Sequence, residues 1–135
     1  MARNRQYYGT TDIFSAQAAT GSSNFINVTD FRNAVISLGT ASSANMTIKV
    51  QGGIGETCPA FASAQSATNR WNYIDIAPLD AAGVVTDGDT GLVFSGTDGN
   101  YLFEVNANGL NWLCLTVTAR SAGSVTADLT LTAND

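Results

Sequence analysis

Two short constellations in this chain combine residue types that could bind or react. One is Asp87-Gly88-Asp89, with Asp80 and Asp98 as the nearest further acids; the other is Trp71 and Tyr73, two residues apart. Paired carboxylates could serve as an acid/base pair or hold calcium. The run Thr86-Asp87-Gly88-Asp89-Thr90-Gly91 lacks the third acid and the closing glutamate of an EF-hand loop, and aspartate with glycine is also what a tight turn uses. Asp87 and Asp89 therefore stand as calcium candidates beside a plain turn reading. Trp71 and Tyr73 fall on one face of a strand and could stack on sugar rings. The competing reading, shared by Trp112, is packing within a core. Histidine is absent, which removes every Ser-His, Cys-His and His-metal mechanism. No Gly-x-Ser-x-Gly elbow and no phosphate loop is present. The expectation is a protein that is not an enzyme, with no catalytic residues and no cofactor.

Charge and cysteine narrow the partners. Six Lys+Arg against eleven Asp+Glu give a net charge of -5, which repels a phosphate backbone, so nucleic acid is not expected as a partner. Arg3 and Arg5 stand with Gln6, Tyr7 and Tyr8 in a basic, aromatic stretch. This stretch reads either as a loose tail or as an arm that docks on an acidic neighbour, which makes Arg3, Arg5, Tyr7 and Tyr8 the partner-binding candidates. Two cysteines, Cys58 before Pro59 and Cys114 inside an apolar run, are too few for a closed zinc site, and whether they pair is open. No apolar stretch approaches the roughly 20 residues that cross a bilayer, and no secretory h-region opens the chain. No membrane association and synthesis in the cytoplasm are the expectations.

The elements that must position these residues are strands. Charged residues make up only 13% of the chain, while 52 of 135 positions are Asn, Ser, Thr or Gly, a composition poor in the residues that sustain exposed helices. Period-2 alternation dominates. Val125, Ala127, Leu129, Leu131 and Ala133 alternate with short polar residues, as do Leu113, Leu115 and Val117. With Ser121-Ala122-Gly123 as the link, residues 110–119 and 123–133 read as a hairpin. Ala34, Ile36 and Leu38, then Met46, Ile48 and Val50, read as a second hairpin around the polar link 39–44. Residues 101–105 follow an Asp98-Gly99 turn signal, and 71–76, 91–95, 24–28 and, weakly, 13–16 are further strands. Residues 52–69 are irregular, with an alanine-rich stretch that could form a helical turn. The expected fold is all-β: a single antiparallel β-sandwich, jelly-roll-like, of eight or nine short strands in two layers, with an extended N-terminal arm. Residues 1–22 would form the arm and a weak first strand, and residues 23–135 the sandwich.

Three stretches carry a family resemblance. They are Asn27-Val28-Thr29-Asp30-Phe31-Arg32-Asn33-Ala34-Val35-Ile36-Ser37-Leu38 with Met46-Thr47-Ile48-Lys49-Val50-Gln51-Gly52; Ala64-Gln65-Ser66-Ala67-Thr68-Asn69-Arg70-Trp71 leading into Tyr73-Ile74; and Asn108-Gly109-Leu110-Asn111-Trp112-Leu113, followed by a Thr-rich last strand. In order and spacing the chain resembles small β-sandwich virion structural proteins of tailed bacteriophages, over roughly residues 24–133. The resemblance implies a non-enzymatic role in the particle, first of all a capsid-decoration (cement) protein that binds the assembled shell. Neck, tail or fibre component is the alternative within the same class, and a carbohydrate-binding module for host adsorption, using Trp71 and Tyr73, is the alternative from another. It further implies the major capsid protein or other virion proteins as partners, a homo-oligomer, and a virion location after synthesis in the bacterial host.

Overall fold

The computed structural model describes residues 5–80 and 84–134, and for residues 5–12, 133 and 134 the backbone alone. Its described residues form nine strands and no helix: β1 (Arg5–Gln17), β2 (Gly21–Ser22), β3 (Ile26–Asn27), β4 (Asn33–Gly53), β5 (Trp71–Ile74), β6 (Ala77–Pro78), β7 (Leu92–Ser95), β8 (Gly99–Asn106) and β9 (Trp112–Asn134). Every pairing is antiparallel. The all-β, sandwich-like class read from the alternation is the fold observed.

The two hairpins read from the sequence are absent. Residues 34–38 do not pair with 46–50, nor 110–119 with 123–133. Instead β4 and β9, 21 and 23 residues long, pair with each other along their whole length, from Asn33 against Thr132 to Gly53 against Trp112. Both strands bend at the same place. Between the pairs Ala41–Ser124 and Asn45–Ala122, β4 spends three residues where β9 spends one. Ser42 and Ser43 sit at φ 62° and 57°, and Gly123 at φ 83°. Extra residues in one strand of a ladder bend it sharply, and strands that cross such a bend pass from one layer to the other. The sandwich is thus one open sheet folded over itself.

The first layer runs β1, the C-terminal half of β9, the N-terminal half of β4, β8 and β6; the second runs β2 and β3, the other half of β9, the other half of β4, then β5 and β7. Side chains from both meet in a single core. Ile36, Leu129 and Val105 enter it from the first layer, and Ile48, Leu115 and Val117 from the second, all at most 1% exposed. Rings bridge the layers where Phe94 of β7 lies 5.4 Å from Tyr101 of β8. The segment read as an arm is extended, but from Arg5 on it is a sheet strand against β9.

The β7–β8 turn latches the corner. The left-handed pair Ser42-Ser43 turns two backbone N–H groups outward, and the Asp98 carboxylate accepts both, from Ser43 N and Ala44 N at 3.1 Å each. Gly96 N donates back to Ala44 O at 2.8 Å, and the Thr40 hydroxyl donates to Thr97 O at 3.1 Å. Asp98→Ala is expected to lower stability by about 1 kcal/mol or more, the scale of hydrogen bonds to a charged acceptor. Asp98→Asn, which keeps one acceptor oxygen, should lose less; equal urea midpoints for wild type and Asp98→Ala would refute the latch.

Candidate interaction surfaces

The outer faces of the two layers are built differently. On the second layer, residues 54–70 fold back as a lid. The register sets Gln51 beside Tyr73 and Cys114, and Gly53 beside Trp71 and Trp112, so all six face away from the core. Pro59 lies directly over Gly53. The lid is held by its carbonyls. Gln51 Nε2 donates to Phe61 O at 2.8 Å, Trp71 Nε1 to Ser63 O at 3.0 Å, and Trp112 Nε1 to Gly55 O at 2.8 Å. Asn69 closes the lid on itself, accepting from Ala60 N at 2.8 Å and donating to Ala60 O and Ala64 O at 3.0 Å. The alanine-rich stretch makes a turn, with Ser63 N on Ala60 O, and no helix. Gln51 Oε1 is buried without a hydrogen-bond partner among the described residues.

Among the described residues no comparable lid crosses the first layer. There Val35, Ser37, Leu102, Thr126 and Thr130 share a face in cross-strand register with two acids, Asp128 opposite Ser37 and Glu104 opposite Val35. Its β1 edge carries three register irregularities, between Tyr8 and Thr10, Asp12 and Phe14, and Phe14 and Gln17. Bulges of this kind spoil an edge as a template for another strand. The opposite side of the sandwich is open. Among the described residues β6 pairs only with Phe103 and Glu104 of β8, and β7 pairs only with β4. Between β7 and the start of β8 lies a cleft of about 690 Å³, with Leu92, Phe94, Tyr101 and Phe103 inside and Pro78, Leu79 and Asp80 on its rim.

This architecture is shared with a prophage protein. The crystal structure of the SPBc2 prophage-derived protein YomS matches with a TM-score of 0.70, across 96% of this chain and 95% of that chain, at 11% sequence identity. Searches against protein-family models and curated proteins return no match. At 11% identity the likeness is one of fold, over nearly the whole of both chains.

The residues singled out from the sequence take up these places. Trp71 and Tyr73 share the outer face as expected, but edge to face, with ring centres 5.1 Å apart at 75°, and Phe61 stands against Trp71 at 62°. Lys49 Nζ lies 4.6 Å above the Tyr73 ring. The rings pack against each other and the lid, so no flat stacking platform is formed. Trp112 is half-buried on this outer face against Phe25, and does not lie between the layers. Asp87 forms a turn, its Oδ1 accepting from Asp89 N at 2.8 Å, while Asp75 accepts from Gly88 N at 2.9 Å. Among the described residues no group of three or more Asp, Glu, His or Cys could hold a metal ion. Arg5, Tyr7 and Tyr8 belong to β1, opposite Asn134, Thr132 and Leu131, and Arg3 lies outside the described residues. Asp98, Gln51 and Asn69 were missed as structural anchors, because nothing in an isolated Asp-Gly or a lone amide names its distant backbone partner.

Cys58 and Cys114 are both free thiols, half-buried and buried. Burial pushes the Cys58 thiol up, with the neighbouring Cys114 adding to the shift, and burial likewise raises Cys114 against hydrogen bonds from Ser23 and Ser22 that lower it. A folded pKa above the unfolded one stabilises the fold below the unfolded thiol's pKa, and that stabilisation is lost as pH rises through the folded value. Alkylation by iodoacetamide at neutral pH should therefore be slow at Cys58 and slower still at Cys114, with both accelerating in urea. Fast native-state labelling of Cys114 would contradict the packing described.

Proposed function

We propose that this chain is a structural protein of a bacteriophage particle, without enzymatic activity. Within that class we assign it to capsid decoration, binding the assembled shell by protein–protein contacts. The observation that carries the reading is the shared architecture with a prophage-derived protein over nearly the whole of both chains. The bare face of the first layer supports it. Short hydroxyl side chains at Ser37 and Thr126 lose little conformational freedom on being covered. A side chain set of this kind suits a broad contact better than a pocket for a small substrate.

The test is the copy number of the chain in purified particles, by quantitative mass spectrometry, with the heat resistance of particles made without it. Hundreds of copies and loss of heat resistance are the expected result. About a dozen copies would move the protein to the neck, tail or a fibre, and absence from the particle would overturn the reading.

A further inference from the structure

Three of this chain's acids, Asp80, Asp87 and Asp89, lie at or beside the open side of the sandwich. Residues 71–119 hold Asp75, Asp80, Asp87, Asp89, Asp98 and Glu104 and no lysine or arginine. Asp80 stands on the rim of the cleft between β7 and β8, and Asp87 and Asp89 lie in the loop between Thr86 and Gly91, both of which line it. Large apolar side chains are exposed on this rim and on the outer faces flanking it: Leu79 is 49% exposed, and Leu102 and Val93, on the outer faces of β8 and β7, 51% and 62%. An unpaired strand edge beside an apolar cleft is the part of a sheet that invites an extended segment. The far edge, β1, is blunted by its three irregularities, so the two edges are not equivalent.

The four residues ahead of β1, Met1-Ala2-Arg3-Asn4, have the complementary chemistry: two apolar side chains followed by a cation, with no acid before Asp12. β1 begins at Arg5 beside Asn134, at the edge away from the cleft. We propose that the cleft between β7 and β8 receives the residues ahead of β1 from a second copy of this chain, with Met1 and Ala2 on the apolar floor and Arg3 against Asp80. The acidic rim selects the basic segment, and the apolar floor keeps it, because charge steers an encounter while burial holds it.

Sedimentation velocity of the full chain, across concentration and salt, tests this. The wild type should form an oligomer that weakens as salt rises. Arg3→Glu and Asp80→Arg should each shift dissociation to at least tenfold higher concentration, with circular dichroism and melting of the monomer unchanged. The double variant Arg3→Glu/Asp80→Arg should recover association. A wild type that stays monomeric, an oligomer indifferent to either reversal, or a double variant that stays apart would each overturn the proposal. The readout is independent of the virion assignment, since self-association is measured on the isolated chain and copy number on the particle.

Discussion

Gly123→Val is expected to leave the chain unfolded or deeply destabilised. At φ 83° a branched side chain is strained by about 1–2 kcal/mol before it touches anything. A Cβ at this position would lie 2.4 Å from Ala44 Cα, 2.7 Å from Ala41 O and 2.9 Å from Ala44 Cβ. These are atoms of the opposite strand at the corner, and backbone cannot rotate out of the way as a flexible side chain can. Relieving the collision means separating β4 from β9 where both layers depend on them, which adds about 1–3 kcal/mol or more. A domain of this size has about 5–15 kcal/mol in all. Gly109→Ala is the control, with φ 88° and nothing within 4 Å of its Cβ, so it bears the strain alone. If urea midpoints fall equally for Gly109→Ala and Gly123→Ala, the close approach at the corner is not what the glycine serves.

The second large effect is Leu115→Asp. Leu115 is 1% exposed, stands opposite Val50 in the ladder, and belongs to the core shared by both layers. The substitution removes about 1.5–3 kcal/mol of side-chain burial and strands a carboxylate with no partner at a cost of several kcal/mol more. Soluble folded protein is not expected at neutral pH. Leu115→Ala, losing about 2–5 kcal/mol, should fold with a lowered melting temperature. Thr126→Asp, on the same strand but on the wet face, keeps an oxygen acceptor for Ala16 N and should fold, losing far less stability than Leu115→Asp. A folded Leu115→Asp with a native melting temperature would refute the assignment of faces along β9.

Those faces were legible in the sequence, because period-2 alternation depends only on which side of a strand is buried. Leu113, Leu115, Val117, Val125, Ala127 and Leu129 all point where the alternation put them. The connection between the runs was not legible. A polar link with a glycine fits a hairpin and a bend equally well, and only the long-range pairing of Ala41 with Ser124 and of Asn45 with Ala122 distinguishes them. β1 was read as an arm beyond its weak 13–16 core for a related reason. Its bulges shift the alternation out of phase, so the pattern disappears although the pairing persists. Trp71, Tyr73 and Asp87 stand out in the sequence, and in the structure their partners are lid carbonyls, neighbouring rings and turn amides. Backbone groups carry no sequence signature, so an anchoring role and a ligand-binding role look the same from composition.

The shared bend also determines how the molecule bears load. In a sandwich of two separate sheets, tension between the layers is resisted by side-chain contacts alone, which peel apart one at a time. Here β4 and β9 run through both layers without interruption, so a pull applied to the outer face of one is carried into the other along covalent backbone. The hydrogen-bond ladder between the two strands, from Asn33–Thr132 to Gly53–Trp112, is then loaded in shear over its whole length. Stretched along the strands, the domain should give way as one unit, with no partly separated layer along the way.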